Sequence, residues 1–96
     1  MHIRTALIDV RKERRDECRR LYRDEILPAM REYTGNLFAH CMEPIEPGAP
    51  WLVMGGWVDR GASDKYGASA IRNKFASLVK PMLERDAIYR QYQAIE

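Results

Sequence analysis

Residues 55–69, GGWVDRGASDKYGAS, decide the fold. They close the apolar run 51–58 (WLVMGGWV) with Trp57, leave it through Asp59 and Arg60, and turn at Gly61, Ala62 and Ser63. Ser63 or Asp64 then has the side chain to cap a helix, because a short polar oxygen can accept from the free backbone N–H groups of a first turn. The stretch is therefore strand, corner and helix, with Trp57 and Tyr66 on either side of the corner. Alternate residues of a strand share a face, so Trp51, Val53, Gly55 and Trp57 point the same way. Gly55 beside Trp57 leaves room where a side chain would stand, although a glycine in a strand also marks a bulge. A small-molecule site in so short a chain is expected at this corner.

Working outward, residues 43–50 (EPIEPGAP) hold three prolines and a glycine and form a loop. Residues 37–42 are a strand, and the short link pairs them with 51–58 as an antiparallel hairpin. In residues 12–33 the apolar side chains Cys18, Leu21, Tyr22, Ile26, Ala29, Met30 and Tyr33 recur at spacings of three and four, which is a helix. Its other face mixes Arg15, Arg19, Arg20 and Arg23 with Asp16 and Asp24, the pattern of a solvated face. Pro28 should kink or restart this helix near Leu27, and Gly35 is a natural left-handed cap at its end. Residues 3–10 are a first strand in which Ala6, Ile8 and Val10 alternate with Thr5, Leu7 and Asp9; apolar groups on both sides predict that both faces are covered. Downstream, residues 64–83 are a second helix with Ala68, Ile71, Phe75, Leu78, Val79 and Met82 on its apolar face, its first turn weakened by Gly67 and Ala68. Residues 87–95 are a last strand, with Ile88, Arg90, Tyr92 and Ala94 on one face.

The order β-α-β-β-α-β is the ferredoxin-like plan, an α+β fold with an antiparallel sheet. Two helices cover one face of a four-stranded sheet. The other face keeps the apolar groups of the first three strands, and soluble monomers avoid so large a patch. A homodimer packed sheet against sheet, a dimeric α+β barrel, is the expected solution.

Ninety-six residues, read as one domain over 1–96, with 46% apolar and 31% charged residues, are ordinary for a globular protein. A net charge of +2 gives no ground for nucleic acid or an anionic membrane as partner. No apolar run approaches a membrane span, and the N-terminal MHIRTALIDV meets charge too soon for a signal peptide. Cys18 and Cys41 have no metal or redox spacing and suit a reducing compartment, so a cytoplasmic location is expected.

The element order, the Gly35-Asn36 break, and Trp57 followed by Ala62, Tyr66, Ala68 and Ser69 resemble the antibiotic biosynthesis monooxygenase domain of the dimeric α+β barrel superfamily. That family has a strand-ending Trp, a His nine residues later and a Ser or Thr three further on; here these positions are Trp57, Tyr66 and Ser69. Tyr66 is the departure. Relatives that degrade haem use the His as iron ligand, with an Asn on the first strand, and this first strand (IRTALIDV) has none, so haem degradation is not expected. Residues 21–36 also resemble the NIPSNAP relatives.

The resemblance implies a monooxygenase acting on aromatic phenols or quinols without metal or flavin, the deprotonated substrate itself reducing oxygen. Such chemistry needs an apolar pocket, a planar contact and a group that holds or moves a proton. Trp57, Gly55 and Phe75 are the substrate-binding candidates. Tyr66, His40 and Arg90 are the catalytic ones: Tyr66 as a hydrogen-bonding phenol, His40 as the side chain best suited by reference pKa to be a base, Arg90 as a partner for an enolate or phenolate. His40 equally fits a half-exposed strand histidine, Arg90 an ion-pair partner, and Trp57 with Tyr66 a pair of core aromatics. A planar aromatic molecule is the expected ligand, with neither cofactor nor metal. A non-catalytic dimeric barrel that binds a hydrophobic ligand or acts as a scaffold is the alternative.

Overall fold

The computed structural model describes residues 1–96. Four strands form one antiparallel sheet: β1 (His2–Ile8), β2 (Asn36–Met42), β3 (Trp51–Trp57) and β4 (Ile88–Gln93), in the order β2-β3-β1-β4. The 37–42/51–58 hairpin is antiparallel as expected. Register defines two faces. His2, Arg4, Ala6 and Ile8 of β1 stand opposite Trp57, Gly55, Val53 and Trp51 of β3, and this face carries the helices. Ile3, Thr5 and Leu7 share the other face with Met54, Gly56 and, from β4, Arg90 and Tyr92.

The first helical run comprises a short 3-10 turn at Lys12–Arg14, α1 (Arg15–Leu21), a π-helical stretch at Tyr22–Ile26 and α2 (Leu27–Glu32). Pro28 has no N–H to give Asp24, and its ring would collide with that carbonyl in a regular helix. The chain widens by one residue per turn instead: the Leu27 N–H reaches back to the Tyr22 carbonyl. The proline thus bulges the helix without ending it. Cys18, Leu21, Tyr22, Ile26, Leu27 and Met30 bury one side on the sheet. Gly35 ends the run at φ +89°.

The second helical region departs from the expected single helix over 64–83. It begins four residues earlier, as α3 (Arg60–Gly67), and restarts as α4 (Ala70–Val79), followed by a 3-10 turn at Lys80–Met82. Asp59, and neither Ser63 nor Asp64, is the cap, its Oδ1 accepting from the Ala62 N–H at 2.8 Å. Ser63 is fully buried, drawn in beneath the helix. Ser69 makes the break. Its backbone is extended, and its Oγ accepts from the Arg72 N–H at 3.2 Å while donating to the Tyr66 carbonyl at 2.6 Å. One hydroxyl so closes α3 and opens α4.

All the helices lie on the Trp57 face. The opposite face leaves Met42, Ile88 and Tyr92 at 40%, 47% and 51% exposed in the single chain. β1 ends before Val10, which makes only an isolated bridge to Leu83, and every residue of β4 is exposed.

Candidate functional site

The strand-helix corner packs three aromatic rings. Tyr66 of α3 stacks on Trp57 with ring centroids 4.9 Å apart and planes at 25°. Tyr33, just past α2, meets both edge-on, at 6.1 Å from Trp57 and 5.3 Å from Tyr66. Edge-to-face and offset contacts of this kind suit the ring quadrupoles. Trp57 is 0% exposed, and its Nε1–H has no acceptor.

Beside this cluster a cavity of about 540 Å³ runs between the sheet and α4, the size of a small-molecule site. Gly55, Tyr66 and Phe75, three of the candidates named from the sequence, line it. Trp57 does not: it lies behind Tyr66. The room expected beside Gly55 is partly taken by the protein itself, because a Cβ there would stand 3.0 Å from both the Met30 methyl and the Trp57 Nε1. Trp57 therefore supports the wall and Tyr66 presents it.

His40 is on the opposite face of the sheet. It pairs with Met54, stacks on Phe38 with centroids 5.6 Å apart and is exposed. Within one chain it cannot face Trp57 or Tyr66. Arg90 borders the cavity from the edge strand, but its register with Thr5 sends its side chain to the same far face as His40.

Two cavity residues were not singled out from the sequence. Arg4 and Arg72 reach it from β1 and from the first turn of α4. Arg4 was legible: it continues the inward alternation of Ala6 and Ile8, where an arginine is out of place. Its Nη1 donates to the Ser63 carbonyl and Oγ, each at 3.3 Å. Arg72 lies over the Tyr89 ring at 4.8 Å. Burial, with the neighbouring Arg72 charge, lowers the Arg4 pKa, partly countered by Asp64 and Tyr66. Burial raises that of Tyr66 despite the pull of Arg72 and Arg4, so its phenol is a neutral hydrogen-bond donor at physiological pH. His2 is also on this side, buried at the Trp57 end of β1, with Nε2 2.6 Å from the Gln91 Oε1 and Nδ1 unpartnered. No three His, Cys, Asp or Glu side chains converge in a way that could hold a metal ion. No helix is long and apolar enough to cross a membrane.

The family model for antibiotic biosynthesis monooxygenase matches residues 1–78. No curated protein sequence matches. Among solved structures, a Deinococcus radiodurans protein carrying that family's designation superposes with a TM-score of 0.89 at 22% identity, over 100% of this chain and 94% of its own. Another antibiotic biosynthesis monooxygenase gives 0.85 at 20% identity over 100% of both chains. A Mycobacterium tuberculosis protein gives 0.85 at 18% identity, over 99% of this chain and 95% of its own. At these identities the likeness establishes the fold.

Proposed function

We propose, from the premise that this chain belongs to the antibiotic biosynthesis monooxygenase family, that its cavity oxygenates a planar phenol or quinol without a cofactor. The observation that carries the proposal is the largely apolar cavity beside Gly55 and Phe75 into which the neutral phenol of Tyr66 is presented by the stacked Trp57. The reaction type comes from the family. An anthrone illustrates the balance. Its deprotonated form gives one electron to O2, the resulting carbon radical and superoxide join in a C–O bond, and the peroxide loses water to leave the quinone carbonyl. One oxygen atom enters the product and the other leaves as water, with the substrate supplying all the electrons. Arg4 and Arg72 favour the deprotonated substrate by their charge, and Tyr66 donates a hydrogen bond to the anion or to the peroxide oxygen.

We further propose that the chain works as a homodimer with the exposed sheet faces packed together, and in the cytoplasm. The apolar open face supports the first and the two unpaired cysteines the second.

The test is oxygen uptake with anthrone- and quinol-type substrates in metal-free buffer, with Tyr66→Phe as the diagnostic variant. Loss of the hydroxyl should lower kcat by about 10- to 100-fold while leaving KM within a few-fold. A second reading, a barrel that only binds its ligand, is favoured by one observation: no histidine borders the cavity, and burial raises the pKa of Tyr66, the phenol beside Gly55. Ligand binding with no oxygen uptake over a broad phenol panel would decide for it.

A further inference from the structure

Arg4 is an unusual residue to find on the helix-covered face of a central strand. Its side chain is 22% exposed. The guanidinium has five N–H donors and needs acceptors for them. The protein offers little: the two contacts to Ser63 are neutral and, at 3.3 Å, longer than a usual N–H···O bond. The nearest carboxylate, Asp64, is 4.0 Å away and is shared with Arg60 at 3.6 Å. Arg72 stands close enough that its charge adds to the cost of charging Arg4. It sits in the first turn of α4, where the helix dipole also disfavours a cation, and is held there over the Tyr89 ring. Of the other charged side chains bordering the cavity, Lys80 and Arg90 are basic and only Asp86 is acidic. Two guanidiniums with incomplete partners thus face one end of an apolar cavity. Repulsion between them is relieved by an anion placed where both can reach it, and a carboxylate matches the guanidinium fork.

We infer that Arg4 and Arg72 form an anion-binding end of the cavity and that its phenol or quinol ligand also carries a carboxylate, the carboxylate held by the two guanidiniums and the ring lying along Gly55 and Phe75. This rests on the aromatic-binding reading of the same cavity and deepens it by naming the substrate class. Gly67 belongs to the arrangement: a Cβ there would stand 2.7 Å from an Arg4 Nη, so this glycine lets the guanidinium lie against α3.

The experiment compares 2-naphthoate with 2-naphthamide, the same ring with and without the charge, by titration calorimetry on the full chain. The wild-type protein should bind 2-naphthoate about 10-fold tighter than 2-naphthamide in low salt, and the ratio should shrink as salt rises. In Arg72→Gln the ratio should fall to about one. Gly67→Ala, which keeps every charge and favours the helix, should also reduce it by displacing the Arg4 guanidinium. Arg4→Gln is the less clean variant, because Arg4 also ties Ser63 to the sheet. Equal affinity for the two probes in the wild type, or an undiminished ratio in Arg72→Gln, overturns the anion site while leaving the aromatic cavity standing. Binding of neither probe overturns both.

Discussion

Two glycines have nearly the same φ but different neighbours, and they make a controlled experiment. Gly35 lies at φ +89° and Gly48 at φ +82°. A Cβ at Gly48 would meet nothing within 4 Å, whereas one at Gly35 would stand 2.5 Å from the Ala62 Cβ and 3.3 Å from a Val58 methyl. Alanine at either site is strained by about 1–2 kcal/mol in the left-handed region, offset by about 0.4–1 kcal/mol from the stiffer unfolded chain. Gly48→Ala should therefore cost about 1 kcal/mol. At Gly35 the overlap must also be relieved: carbon atoms rest about 3.5–4.0 Å apart, so α3 has to lift by about 1 Å, an overpacking cost of about 1–3 kcal/mol. Gly35→Ala should thus lose about 2–4 kcal/mol in all, which for a domain of this length lowers Tm by roughly 10 to 25 °C, against about 5 °C for Gly48→Ala. Lifting α3 also moves Tyr66 off Trp57, so aromatic-ligand affinity should fall in Gly35→Ala alone. The assay is thermal denaturation by circular dichroism at one fixed protomer concentration, since self-association would shift Tm. Removing the opposing methyl should restore part of the loss: Gly35→Ala with Ala62→Gly should be more stable than the sum of the two single changes by at least about 1 kcal/mol. Equal losses at Gly35 and Gly48, or strict additivity in the double variant, would refute the close approach of this corner to α3.

Three further outcomes are expected. Size-exclusion chromatography with light scattering should give about twice 11.2 kDa at low micromolar concentration, and Met54→Glu, a charge in the middle of the open sheet face, should yield monomer; a well-folded wild-type monomer would contradict the barrel. Burial pushes the Cys18 thiol up to about 11 and the Cys41 thiol up to about 12 from 9.0, so the unfolded chain loses these protons first; stability is full below about pH 9 and should fall as pH climbs toward 11–12, and urea titrations unchanged across that window would be inconsistent with buried thiols. Haem with a reductant should give no ring-opened product, because a buried phenol stands where haem-degrading relatives have a histidine ligand; a biliverdin-like spectrum would contradict this.

The fold was legible because each element announces itself twice. Residues 51–57 alternate inward Trp51, Val53 and Trp57 with half-buried partners, and the prolines and glycine of 43–50 leave no choice but a loop. Phe75 lies on the apolar face that the helix phase defines, whereas Gly67 and Ala68 left the phase of Tyr66 open. The face of His40 was not readable. An eight-residue link does not fix hairpin register, and a single-residue slip sends every side chain of a strand to the other face. In the structure an irregularity between Asn36 and Phe38 sets that register, pairing Phe38 with Gly56 and His40 with Met54. The break at Ser69 was half visible: Gly67 and Ala68 weaken the helix, but only the doubly used hydroxyl converts weakness into a restart. The helix begins at Arg60 with Asp59 as its cap, and the Ser63 Oγ accepts instead from Arg4, 59 positions away, a contact that no local pattern reveals.

Trp57 is where the expected role and the observed one differ most, and the difference can be measured. A ligand-stacking indole should be exposed to its cavity, yet this one is 0% exposed and carries an unpartnered N–H. Its contribution is the hydrophobic mass that holds Tyr66 and Tyr33 in place. Truncation to alanine should cost about 3–5 kcal/mol and release Tyr66, so ligand affinity falls through disorder of the wall. Trp57→Phe separates the terms. It gives up part of the ring, about 1–2 kcal/mol of packing, and it removes a buried donor whose missing bond costs about 1–3 kcal/mol. The two nearly cancel, so Trp57→Phe should lie within about 1 kcal/mol of wild type, and because Tyr66 still has a ring to stack on, 2-naphthamide affinity should stay within about twofold. If Trp57→Phe keeps its stability but loses 10-fold or more in affinity for the neutral probe, the indole N–H reaches the ligand and Trp57 belongs to the binding surface; if it is as unstable as Trp57→Ala, the offset assigned to the orphan donor is wrong.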